Sequence, residues 1–309
     1  MIDYSIFYKE SFSLDILGNN FKYDLFISGY DDCERTKAIY ERIQSSKKIW
    51  LAFPQYKNIK SFPTHGVYKS KDYAESDYFA AFIDCFKKTK WTSKKISIDI
   101  TGIPKPHLAF IIKFLSLEHI PSIDLFYTEP QRYLYADETR FSGFIDKPKS
   151  IEGCTSEINN PSNPDEDLLI IAAGYDDNAI SKISVYKEYC RKKYCILGFP
   201  SLQPDMYQEN ILKLESAKLS LGEYKKIFAP AYDPFITAQE IANVIANNPN
   251  VTNIYLSPLS TKPQTIGMVL FYLYNRTNLP VSLIFPYSNT YTSGHALGIK
   301  RVWKYTLEF

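Results

Sequence analysis

Short apolar runs alternate along this chain with longer stretches whose apolar side chains recur every three or four positions, the spacing that puts them on one side of a helix. In the first half the runs at 24–29, 48–53, 96–101 and 122–127 carry Ile, Leu, Phe and Trp between polar or proline boundaries, so they read as buried strands. Between them, 34–44 keeps Ala38, Ile39 and Ile43 on one face, and 78–88 does the same with Phe79, Phe82, Ile83 and Phe86. The stretch 107–117 follows a proline suited to a first helical turn. In the second half 180–191, 237–247 and 264–276 take the same places as helices. Strands alternating with amphipathic helices connect by right-handed crossovers and build a parallel sheet covered on both faces. The predicted fold class is therefore α/β, as Rossmann-like parallel-sheet units.

The pattern occurs twice. Leu25-Phe-Ile-Ser-Gly-Tyr-Asp-Asp32 returns as Ile170-Ile-Ala-Ala-Gly-Tyr-Asp-Asp177, and Ile49-Trp-Leu-Ala-Phe-Pro54 as Cys195-Ile-Leu-Gly-Phe-Pro200. Ile98-Asp-Ile-Thr-Gly-Ile-Pro-Lys-Pro106 aligns with Tyr255-Leu-Ser-Pro-Leu-Ser-Thr-Lys-Pro263. Finally, Ile123-Asp-Leu-Phe-Tyr127 with Tyr133 aligns with Val281-Ser-Leu-Ile-Phe285 with Tyr291. Four blocks in one order, at slowly growing offsets, predict an internal duplication into two tandem halves. The first spans residues 1–142 and the second 168–309, with 143–167, rich in Pro, Ser, Asn and charge, as a linker.

In open parallel sheets the loops leaving the carboxyl ends of the strands line the ligand crevice, and the repeated polar blocks fall at those ends. Gly29, Tyr30, Asp31 and Asp32, with Gly174, Tyr175, Asp176 and Asp177, are candidate ligand contacts: glycine admits a close backbone approach and carboxylates accept ribose hydroxyls. Aspartate is also a favoured N-cap, and these residues are equally placed to cap helices starting at Glu34 and Ala179. Thr101, Gly102 and Lys105, with Ser260, Thr261 and Lys262, stand between a strand and a helix, where free amides plus a lysine make an anion site. Tyr127, Tyr133, Phe285 and Tyr291 follow the fourth strand of each half and are candidates for stacking on a base, or for the core. Asp99 falls inside a predicted buried strand, where a carboxylate needs partners, whereas its counterpart is Leu256.

Composition removes alternatives. The 36 basic and 34 acidic residues nearly cancel, so the formal charge of +2 does not indicate a nucleic-acid partner, although local basic stretches at 87–95 and 300–304 leave one open. No apolar run approaches the roughly 20 residues that cross a bilayer, and the amino terminus lacks the apolar core of a signal peptide, so no membrane partner is expected. Five cysteines without a CxxC fit a reducing cytoplasm. The four histidines show no ligand spacing and no nucleophile sits in a catalytic signature, so no metal, no other cofactor and no covalent catalysis are expected.

Ile98-Asp-Ile-Thr-Gly-Ile-Pro-Lys105 resembles the Asp-x-Thr-Gly-Gly-Thr-Lys motif of CARF domains, the Rossmann-like sensors of cyclic oligonucleotides in prokaryotic defence. Ile103 stands at the family's second glycine and Pro104 at its threonine, and the second half keeps only the end of the motif in Ser260-Thr-Lys262. Two such units in one chain resemble the SAVED domain. The resemblance implies ligand contacts at Gly29, Thr101, Gly102 and Lys105, and at Gly174, Thr261 and Lys262. The expected function is a sensor or adaptor that binds a nucleotide-like ligand between its halves and signals to a separate effector protein in antiviral defence. Two alternatives stay open. One is a hydrolase or phosphotransferase using Asp31, Asp32, Asp99, Asp176 or Asp177, and the other is a structural subunit docking protein or nucleic acid.

Overall fold

A computed structural model describes residues 2–17, 21–59, 61–88, 91, 93–133, 145–291 and 296–309. The chain divides into two compact units, Phe7–Gly143 with Asn289–Phe309, and Met1–Ile6 with Phe144–Ser288. Each is an α/β unit around one mixed, mostly parallel sheet.

In the first, the described residues form β1 (Lys9–Phe12), β2 (Lys22–Tyr30), α1 (Glu34–Arg42), β3 (Gln44–Ala52), β4 (Val67–Lys69), α2 (Glu75–Lys87), β5 (Ile96–Asp99), α3 (Lys105–Leu117), β6 (Ser122–Glu129) and β7 (Arg132–Tyr133). The returning carboxyl terminus adds β14 (Ala296–Leu297) and β15 (Arg301–Glu308). The main sheet of this seven-stranded unit runs β1-β15-β6-β5-β2-β3-β4. The central strands are buried on both faces, which is why Leu25, Phe26, Ile27 and Ile96, Ile98 read as continuous apolar runs. One side of the core gathers Leu17, Tyr23, Phe26, Ile39, Ile43, Phe126 and Val302.

The six-stranded unit contains β8 (Lys149–Ser150), β9 (Leu168–Ala172), α4 (Asp177–Tyr186), β10 (Lys192–Gly198), α5 (Met206–Ser216), α6 (Lys218–Leu221), β11 (Lys225–Ala229), α7 (Pro234–Ala246), β12 (Ile254–Pro258), α8 (Lys262–Asn275) and β13 (Val281–Phe285). Its sheet runs β11-β10-β9-β12-β13-β8. Local chemistry fixes the helix starts: the Asp233 carboxylate accepts from the amides of Phe235 and Ile236, with Pro234 in the first turn of α7. Tyr4 is buried in this unit, its hydroxyl receiving a hydrogen bond from Asn275 at 2.9 Å.

The parallel cores share one order. Read from the edge, β4-β3-β2-β5-β6 and β11-β10-β9-β12-β13 are both third, second, first, fourth, fifth, and each has an antiparallel strand, β15 or β8, beside its fifth.

The expectation of purely parallel sheets is corrected by β1, β15 and β8, which pair antiparallel. β15 runs against β6 from Arg301 opposite Glu129 to Glu308 opposite Ser122, and buries Val302, Trp303, Tyr305 and Leu307. Residues 289–291 and 296–309, expected in the second half, are therefore built into the seven-stranded unit, and residues 2–6 into the other. The stretch expected as a linker is also built in. Ile151 and Cys154 are fully buried, and the Ile151 amide and the Cys154 carbonyl both bond to Leu283, at 2.9 Å each. Residues 143 and 144 lie outside the described set.

Candidate functional site

In a sheet of order third-second-first-fourth-fifth, the strand order reverses between the first and fourth strands, which are parallel neighbours whose following helices go to opposite faces of the sheet. In the seven-stranded unit these are β2 and β5. A side chain at Gly29 would stand 2.5 Å from the Gly102 carbonyl carbon, and one at Gly102 only 2.1 Å from the Gly29 carbonyl oxygen. Glycine at both positions lets the two loops touch.

Asp99 fastens three strand ends. Its carboxylate accepts from Ser28 Oγ on β2 at 2.8 Å and from the Thr101 amide at 3.0 Å, while Thr101 Oγ1 accepts from the Thr128 amide on β6 at 3.0 Å. Burial pushes the Asp99 carboxyl up to about 6, against the opposing pull of its hydrogen bonds to Thr101 and Ser28. Tyr56, from the loop after β3, donates to the Gly102 carbonyl at 3.0 Å and closes the other side of the turn.

The sequence places Asp31 and Asp32 together, but the structure separates their work. Asp31 is buried and accepts from the Cys33 amide at 3.2 Å and from Thr36 Oγ1 at 2.8 Å, which secures the start of α1. Asp32 adopts a left-handed backbone, φ 63°, and turns outward to Lys37 at 2.6 Å, with Tyr30 donating at 2.9 Å. The Lys37 hydrogen bond holds the Asp32 carboxyl below its ordinary value. Asp32 is thus not the cap of α1. Ile103 and Pro104 are buried, and Lys105 heads α3, partly exposed.

In the six-stranded unit the equivalent close approach recurs: a side chain at Gly174 would meet the Leu259 carbonyl oxygen at 2.2 Å. Here Asp176 is the N-cap, accepting from the Ala179 amide at 3.0 Å, and Asp177 lies 3.9 Å from Lys213. Asn210, buried on α5, donates to the carbonyls of Ala173 at 3.0 Å and Gly174 at 2.8 Å and ties the turn to a helix. Tyr175 is half-buried in the same turn and Ser260 is buried after β12. Thr261 caps α8 by accepting from the Gln264 amide and donates to the Ala231 carbonyl, and Lys262 begins the helix.

The aromatic candidates do not form two equivalent pairs. Tyr127 is buried with its hydroxyl 3.3 Å from that of Tyr133, in the seven-stranded unit. Phe285 is buried edge-on to Tyr287 in the six-stranded unit, whereas Tyr291 belongs to the seven-stranded unit, its ring 6.2 Å from Tyr56. The basic stretch at 300–304 is neutralised: Lys300 and Arg301 face Glu129, and Lys304 faces Glu10 and Asp124. Among the described residues no three His, Cys, Asp or Glu side chains converge as a metal-holding group, and no helix is long and apolar enough to cross a membrane.

Sequence reasoning missed Arg35, Tyr56 and Thr128, which surround the same strand ends. Arg35 Nη1 donates to the Thr128 carbonyl at 3.0 Å, and Arg35 lies within electrostatic reach of Asp31, Cys33, Tyr56, Tyr127 and Tyr133. The only sequence signal for it is its place one turn beyond Gly-Tyr-Asp-Asp. A separate groove in the six-stranded unit, between 145–148 and α4, carries Lys147, Lys182 and Tyr186 and includes none of the expected residues.

No family model and no curated protein matches the chain. Among solved structures it has a likeness to an ABC transporter solute-binding protein from Burkholderia graminis in complex with D-arabinose, at 10% identity and a TM-score of 0.27, over 85% of this chain and 75% of that one. It has another to an N-terminal ketoreductase from a macrolactin assembly line, at 9% identity and a TM-score of 0.26, over 89% and 72%. At these scores neither likeness carries an argument about function.

Proposed function

We propose that the chain is a sensor of a nucleotide-like, phosphate-bearing ligand, received at the carboxyl ends of β2, β5 and β6 in the seven-stranded unit, and that it signals to a separate effector protein. One observation carries the reading: the Rossmann strand order sets a topological switch point where the Gly29–Asp32 and Thr101–Lys105 loops meet, and such points are where open α/β sheets bind ligands. The same order in both units supports descent from one duplicated segment, and with it the CARF-like and SAVED-like reading of a sensor in prokaryotic antiviral defence. The six-stranded unit has Leu256 and Ile180 at the positions that match Asp99 and Arg35, so the seven-stranded unit is the better receiver.

Isothermal titration of the full chain against mono-, di- and cyclic oligonucleotides tests the proposal. Saturable heat with at least one phosphate-bearing nucleotide is expected. Silence across the panel from folded, homogeneous protein contradicts it.

A further inference from the structure

Three buried polar atoms around the ends of β3 and β6 and the first turn of α1 lack hydrogen-bond partners: Arg35 Nε, Gln55 Oε1 and Thr128 Oγ1. Gln55 and Thr128 are closed off within the fold, whereas Arg35 is partly exposed, so its orphan donor is the one that an incoming group can satisfy. Arg35 uses one nitrogen on the Thr128 carbonyl, and among the described residues no carboxylate lies within ion-pair distance of it. Its nearest carboxylate in the electrostatic network, Asp31, is engaged by Thr36 and the Cys33 amide. A guanidinium held in place with a donor left over is the arrangement that receives an oxyanion in a fork.

We infer that Arg35, partly exposed beside β6, is the oxyanion-binding residue of the seven-stranded unit, taking a phosphate of the ligand. Tyr56 supports the Gly102 turn, and the paired hydroxyls of Tyr127 and Tyr133 lie within electrostatic reach of Arg35. This assignment rests on the ligand-binding reading above and narrows it, because neither the repeat nor the CARF-like motif includes Arg35. It also separates the units: the residue aligned with Arg35 in the second Gly-Tyr-Asp-Asp copy is Ile180, which is fully buried. The oxyanion site therefore belongs to one copy alone.

The test compares the full chain with Arg35→Gln and Arg35→Lys, titrated with inorganic pyrophosphate and with cyclic di-adenylate, with thermal unfolding confirming that each variant is folded. Arg35→Gln should weaken the probe that the wild type binds at least tenfold, and Arg35→Lys by less, because it keeps charge without the fork. Equal affinity in wild type and Arg35→Gln overturns the assignment while leaving the sensor reading standing; no binding of either probe or of any panel nucleotide by the wild type removes both. Should Arg35→Gln fail to fold, the Arg35 Nε–H resonance of the wild type, identified by its loss in Arg35→Lys, is followed during the same titrations. A saturable shift supports the assignment, and an unmoved resonance at saturating probe overturns it.

Discussion

At single residues, one atom more or less decides whether the strand-end loops can meet. Gly29→Ala puts a methyl group 2.5 Å from backbone that cannot rotate away, so it should cost about 1–3 kcal/mol in urea unfolding; an unchanged midpoint would show that the loops do not meet there. Asp99 has a folded value of about 6 against 3.8 unfolded, so its stabilising contribution is present below pH 3.8 and lost as pH rises through 6. Asp99→Asn should therefore gain on the wild type between pH 4 and 6, by on the order of 2–3 kcal/mol from that gap. His107 acts in the opposite sense. Burial among Phe53, Tyr78 and Phe79, with both ring nitrogens unpartnered, holds it down at about 3, so stability is present above pH 6.5 and lost as pH falls toward 3. His107→Leu should be more stable by about 1 kcal/mol at pH 7 and by more at pH 5; a loss at both values would contradict this. The glycines and Asp99 were legible in the sequence because backbone approach and a charge in an apolar run leave marks on it. Arg35, Gln55 and Thr128 were not, since what singles them out is the lack of a partner in three dimensions.

Among elements, the parallel strands and their helices were legible because burial on both faces, or on one helical stripe, writes a periodic pattern. α3, expected at 107–117, spans Lys105–Leu117, and α7, expected at 237–247, spans Pro234–Ala246; both start earlier because proline is accommodated in the first turn. β1 and β15 left a weaker mark. β1 is a partly exposed edge strand, and β15 mixes buried Val302, Trp303, Tyr305 and Leu307 with Arg301, Lys304 and Glu308. β15 is nonetheless paired on both sides, to β1 and to β6, and Glu129 receives Trp303 Nε1 at 2.8 Å beneath it. Removing Arg301–Phe309 strips both ladders and exposes Phe126 and Val302's neighbours in the core, so the truncated chain should lose cooperative unfolding of the seven-stranded unit, as read by near-ultraviolet circular dichroism. A truncated protein with an unchanged transition would show that β15 is dispensable.

For the molecule as a whole, the repeat in the sequence anticipated the order of blocks in each sheet but not the exchange of chain ends, because β15 and the first six residues have no counterpart within the repeat. A fragment ending at residue 142 lacks β15 and should not fold alone, whereas 7–143 joined by a flexible linker to 289–309 should; hydrogen exchange on the two fragments separates these outcomes. The halves also differ in their polar turns, with Leu256 at the position that matches Asp99 and Ile180 at the one that matches Arg35, so equal strand order does not mean equal sites. The most direct measurement is a crystal structure of the chain with the nucleotide it binds most tightly. Phosphate density is expected at Arg35, beyond the carboxyl ends of β2, β5 and β6; density confined to the six-stranded unit, as in the groove beside α4, would rule out the assigned site.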